Sequence, residues 1–181
     1  MGGIAEQPLA DVVAMLVGTG VGVLIGASGT GKTTLRRAVV AAGLSSDSVI
    51  SLDDLRAEER ARAVRRGATP RPLQAYSVAA VRRAQRRQDA LATFGTGYLA
   101  DATHLRRQER VSHVRVARDT GLEPVAVLLP LPSLDELRFR NARRPPDEQV
   151  PAEVLSRQHH RRALLSVALL TEEGFSRVRE L

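Results

Sequence analysis

Cysteine and tryptophan are absent from this chain of 181 residues. Without thiols there is neither a disulfide nor a thiolate metal site, and a reducing cytoplasm is the natural compartment. Aromatics are scarce, confined to Tyr76, Phe94, Tyr98, Phe139 and Phe175. The core must therefore rest on Leu, Val and Ala, and the base-stacking platforms of single-strand binders are disfavoured. No apolar run is long and unbroken. The stretch 9–27 comes nearest, but Gly18, Gly20 and Gly22 interrupt it, Asp11 lies inside it, and Glu6 rather than a basic cluster precedes it. It reads as a short amphipathic helix, a turn and a strand, not as a membrane span or an export signal.

Lysine is nearly missing too. Of 27 lysines and arginines, only Lys32 is a lysine, and it falls within Gly26-Ala27-Ser28-Gly29-Thr30-Gly31-Lys32-Thr33, which fills every fixed position of G-x-x-x-x-G-K-[ST]. A compact ammonium can follow a phosphate as charge shifts, which a planar guanidinium does poorly. The flanks agree with the motif. Val21–Ile25 is an apolar run suited to a strand buried on both faces. The run from Thr34 reads as a helix with Leu35 and Val39 on one side and Gly43 as its stop. Strand, glycine loop and helix N-terminus together aim backbone N–H groups at an anion. The expected ligand is a nucleoside triphosphate, ATP or another NTP, held by the loop and Thr34.

Further strands are expected at 49–51, 98–101, 124–129 and about 175–179. Helices are expected over 55–66, 73–93, 106–119 and from Ser133 to Arg143, with a final helix opened by Pro151. Strands alternating with helices give an α/β fold, a parallel β-sheet flanked by helices on both faces. The chain is expected to be a single domain over 1–181. On the 73–93 helix, Val78, Val81, Ala84, Leu91 and Ala92 mark the apolar side, and Arg82, Arg83, Arg86 and Arg87 crowd the other. The net charge of +7 favours a polyanionic partner, although an arginine-rich genome accounts for it equally well.

Three clusters follow the loop in chain order. Asp53 and Arg56 lie where a strand gives way to a helix, on the ligand side of such sheets. An aspartate there can take a proton from an attacking hydroxyl, with an arginine three residues on holding the acceptor's phosphate. Alternatively Asp53 simply caps the helix. Asp101-Ala102-Thr103-His104 ends another strand, where Asp101 either holds the magnesium water shell or bonds the phosphate-loop backbone; His104 reads as a surface-loop histidine. Arg138, Arg140, Arg143 and Arg144, before Pro145-Pro146, look like a phosphate-clamping lid over about 138–150.

In this order the clusters resemble the P-loop polynucleotide 5′-hydroxyl kinases, the phosphoryl-transfer module of nucleic-acid end-healing enzymes. The resemblance covers nearly the whole chain. It implies a P-loop kinase fold with Lys32 on the donor's terminal phosphates, Thr33 on Mg2+, Asp53 as general base, Arg56 on the acceptor phosphate and Arg144 stabilising the transition state. Arg140 joins the donor site; Thr103, Arg82 and Arg83 join the acceptor site. The implied partner is RNA or DNA with a 5′-hydroxyl end, with phosphatase or ligase domains or proteins as companions. The family often carries asparagine where His104 stands. A small-molecule P-loop kinase shares the fold and the aspartate, and a slow nucleotide-hydrolysing switch is a third possibility; the basic helix around Arg82 favours nucleic acid.

Overall fold

The computed structural model describes residues 6–17 and 20–181, so Gly18 falls outside the described residues. Five strands, β1 (Val21–Ile25), β2 (Val49–Ser51), β3 (Tyr98–Asp101), β4 (Pro124–Leu128) and β5 (Arg177–Glu180), form one sheet in the order β2-β3-β1-β4-β5. Every pairing is parallel, with Val23 opposite Ala100 on one side and Ala126 on the other. The expected α/β class is therefore found. Among the described residues, no helix is long and apolar enough to cross a membrane.

Strand side chains alternate between two cores, as the pleat requires. Val21, Val23 and Ile25 of β1, Tyr98 and Ala100 of β3, and Ala126 and Leu128 of β4 face one cluster. It is closed by α3 (Leu52–Arg65), α4 (Ser77–Thr93), α5 (Arg107–Asp119) and α8 (Val167–Glu172) through Leu55, Ala80, Ala84, Val114, Ala117 and Leu170. Leu24, Leu99, Val125 and Val127 point the other way, onto Val12 and Leu16 of α1 (Glu6–Val17) and Leu35 and Val39 of α2 (Lys32–Ala41). Burying each such Val or Leu contributes about 1.5–3 kcal/mol. A third cluster sits over the phosphate loop, where Ala27 packs with Leu137 of α6 (Leu134–Ala142), Val150, and Leu155 of α7 (Ala152–Ala163).

Several expectations need correction. Helix α3 begins three residues early, because the Ser51 hydroxyl accepts from the Asp54 N–H and caps it; Asp53 and Asp54 thus lie in its first turn. The 73–93 helix is a 3-10 turn over Leu73–Tyr76 followed by α4. Val78, 67 % exposed, and Val81 face solvent, whereas Ala80, Ala84 and Ala92 are buried. Helix α8, between α7 and the last strand, is an element the sequence reading did not foresee.

Candidate active site

The phosphate loop leaves β1 at Ile25 and ends in α2. A Cβ on Gly26 would stand 2.7 Å from the Thr30 hydroxyl, which itself donates to the Ala27 carbonyl. Gly31, at φ 98, turns the chain into α2 through a left-handed conformation that glycine alone adopts freely. Lys32 folds back over the loop, its Nζ donating to the carbonyls of Gly26 at 3.0 Å and Ala27 at 2.7 Å. Burial lowers its pKa to about 8, against the attraction of Asp101 and Asp53 and with some help from the Arg144 charge. The charges that act on Lys32 are thus the acids expected at two strand ends and one arginine of the lid.

Asp101 is buried at the end of β3, beside β1. Burial pushes its carboxyl upward; Arg36 and Lys32 pull it down, while Asp53 and Asp54 add to the rise. Arg36 of α2 bridges the cluster, its Nη1 lying 2.7 Å from Asp54 and 3.2 Å from Asp101. The sequence reading missed this residue, although its position one helical turn beyond Lys32 was a usable signal. Asp53 pairs with Arg56 at 2.5 Å, and the Arg56 Nε donates to the Ser77 hydroxyl at the start of α4. The two aspartates part company here: Asp53 goes with Arg56, and Asp54 with Arg36.

Among the lid arginines, Arg140 donates to the Gly29 carbonyl at 3.0 Å while pairing with Glu136. Arg144 is half-buried and donates to the Glu148 carbonyl. Arg143 lies over the Phe139 ring at 5.6 Å, and Arg138 pairs with Asp135. A further tie joins this segment to α3, where Arg60 pairs with Asp147. The Thr103 carbonyl accepts from the Gly26 N–H at 3.0 Å, which anchors the root of the loop. Arg82 is exposed on α4, but Arg83 is clasped by Glu58 and Glu59 of α3, so its guanidinium serves helix packing in place of a basic track.

His104 departs most from expectation. It is buried, not on a surface loop, and holds a left-handed φ of 44, a strained choice for a non-glycine residue. Its Nδ1 lies 2.8 Å from the Leu24 carbonyl, its Nε2 3.2 Å from Nε2 of His113, and the His113 Nδ1 3.0 Å from the Tyr98 hydroxyl. A carbonyl only accepts, so with both rings neutral every proton is assigned: Tyr98 donates to His113, His113 to His104, and His104 to Leu24. Burial holds His104 down at about 4 and His113 well below its usual range. The His104 carbonyl accepts from Arg110, which forms a buried two-pronged pair with Glu173. Sequence gave no warning of this network, because its members lie on β3, α5 and the end of α8.

A strand, a glycine loop carrying a half-buried lysine and a helix N-terminus, set at the edge of an acid and arginine cluster on a parallel sheet, define a P-loop nucleotide-binding protein. The profile of the AAA domain family matches residues 21–165, and the chain belongs to that family. No curated protein matches it. Among solved structures it is similar to the AvrRxo1-ORF1:-ORF2 complex with ATP, at 18% identity and a TM-score of 0.64, covering 84% of this chain and 52% of that one. The native form of that complex matches at 20% identity and a TM-score of 0.63. At these identities the likeness is one of fold, and the chain spans about half the length of the chains it matches.

Proposed function

We propose that the protein is a polynucleotide 5′-hydroxyl kinase that moves the γ-phosphoryl group of ATP to the 5′-hydroxyl end of RNA or DNA. The observation that carries this reading is the Asp53–Arg56 pair. It opens α3 beside the phosphate loop, with the Asp53 charge acting on Lys32. In the transfer, Asp53 accepts the proton of the 5′-hydroxyl as its oxygen bonds to the γ-phosphorus, and the bond from that phosphorus to the bridging oxygen breaks to release ADP. Arg56, steered by Ser77, leaves Asp53 to hold a phosphate of the acceptor's terminal nucleotide. Lys32 moves from the loop carbonyls to the donor's phosphates, and Arg144 meets the charge of the transferring group. A solved relative in fold carries ATP, which agrees with an ATP donor.

The site fits magnesium of the kind held chiefly by substrate phosphates. No group of three acidic, histidine or cysteine side chains among the described residues could hold a metal. Thr33, exposed at the start of α2, would offer its hydroxyl as a ligand, and Asp101, tied to Arg36, would orient metal-bound water. When bound, the ion neutralises charge on the phosphates.

A small-molecule acceptor is the second reading. A cavity of about 550 Å³ lies between α2, β2 and α3, bordered by Arg36, Asp54 and Leu55, and is large enough for a sugar or nucleoside. One experiment separates the two. Labelled γ-phosphate is offered with 5′-hydroxyl oligonucleotides, nucleosides, nucleoside 3′-phosphates and sugars, using wild type and Arg56→Ala. The oligonucleotide and the nucleoside 3′-phosphate should be strongly preferred by wild type, and the preference for the 3′-phosphate should vanish in the variant. Equal use of nucleoside and nucleoside 3′-phosphate, or preference for a sugar, would turn the assignment to the small-molecule kinase.

A further inference from the structure

The first half of the phosphate loop has a partner that no motif announces. The Ser28 N–H donates to the Gln158 Oε1 of α7 at 2.8 Å. A backbone N–H can only donate, so the orientation of this side-chain amide is forced: Oε1 faces the loop and Nε2 is turned away from Ser28. Nε2 has no partner among the described residues. Every buried side-chain nitrogen or oxygen among those residues does have one, so Nε2 is open to solvent beside the loop. The backbone beneath it is fixed, because Leu155, one turn earlier on α7, is buried against Ala27 and Leu137.

We infer that Gln158 binds the terminal phosphate of the donor through Nε2. The inference rests on the reading of the loop as a nucleoside triphosphate site. The amides at the N-terminus of α2 take the inner phosphates, and Lys32 reaches on to the terminal ones. Ser28 lies in the first half of the loop, on the side covered by α6 and α7. There the Ser28 N–H fixes the oxygen of Gln158 and leaves two N–H donors for a phosphate oxygen. A neutral donor suits this position: Lys32, Arg140 and Arg144 already surround the loop with positive charge. A fourth cation would bind ADP and ATP alike more tightly, whereas a short neutral amide reaches only a phosphate that is present in ATP and missing from ADP.

The test compares binding of ATP and ADP, each with Mg2+, by calorimetry in wild type, Gln158→Glu and Gln158→Ala, alongside the melting temperature. Gln158→Glu keeps an acceptor for the Ser28 N–H and replaces the donors with a negative oxygen. It should weaken ATP about ten-fold or more, the loss ordinary for a hydrogen bond to a charged group, and change ADP by no more than about three-fold. Gln158→Ala should weaken ATP selectively as well, and serves as the readout if the Glu variant melts early. Equal losses for ATP and ADP, or none for either, would show that Gln158 only docks α7 and would overturn the inference. A wild type that binds neither nucleotide overturns the donor site itself. Binding of ATP together with transfer to sugars overturns only the polynucleotide assignment.

Discussion

At the scale of single residues, the site turns on the charge state of Lys32. Its pKa is about 8 in the nucleotide-free protein, below the ordinary value of 10.5, because burial outweighs the attraction of Asp101 and Asp53. Entering phosphates favour the ammonium, so above pH 8 binding must draw in a proton. The dissociation constant of ATP should change little up to about pH 7.5, roughly double by pH 8 and then climb, approaching ten-fold per pH unit. Calorimetry in buffers of different ionisation heat should find uptake of about a quarter of a proton at pH 7.5 and about half at pH 8, climbing toward one at pH 9. Constant affinity across that range would mean that Lys32 does not bind the phosphates. The loop itself was legible, since its chemistry needs fixed residue types at fixed spacing. Gln158 was not, because Ser28, which gives it its place, lies far away in sequence; Arg36 stood one helical turn beyond Lys32, but its tie to Asp101 was equally hidden.

At the scale of elements, β1, β2 and β3 lie where their apolar runs put them, because strands buried on two faces have little choice of composition. Helix α4 is the instructive miss. Valine is the larger hydrophobe, but the helix comes close to the sheet through Ala80 and Ala84 and leaves Val78 and Val81 outside. Close approach selects small side chains, a preference that hydrophobicity alone does not encode. The Tyr98–His113–His104 chain is a second device invisible in sequence, and it binds β3, α5 and the end of β1 into one unit beneath the loop. Both histidines titrate below their ordinary 6.5, so between about pH 4 and 6.5 the unfolded chain holds more protons than the folded one. Stability must therefore fall as pH drops through that window, by up to about 1.4 kcal/mol per unit for each histidine. Asp101, raised by burial, acts in the opposite direction. Thermal melts from pH 7.5 to 5 should show the decline, and His113→Gln should melt lower at pH 7.5 but with a shallower acid slope. An unchanged slope would place the acid sensitivity elsewhere.

At the scale of the whole molecule, the segment over about 138–150 ties the phosphate loop to α3. Arg140 reaches the Gly29 carbonyl, Asp147 pairs with Arg60 of α3, and α7 returns over the loop. Such exposed pairs contribute little to stability; what they do is set where the lid rests, with Arg144 turned so that its charge registers on Lys32. Arg143, the adjacent residue, faces the other way and covers the ring of Phe139, 59 % exposed on the outer side of α6. One step along the chain thus separates a cation whose charge is felt at Lys32 from one that packs on the surface. If Arg144 acts mainly on the charge of the transferring phosphoryl group, Arg144→Ala should lower turnover by roughly three orders of magnitude, the range of arginine fingers, and change ATP affinity only a few-fold. Arg143→Ala should leave turnover within about a factor of three, since it removes one exposed cation–π contact. Single-turnover transfer with saturating ATP measures both. Equal losses in the two variants would mean that the lid closes in a register one residue away from the one it holds without nucleotide.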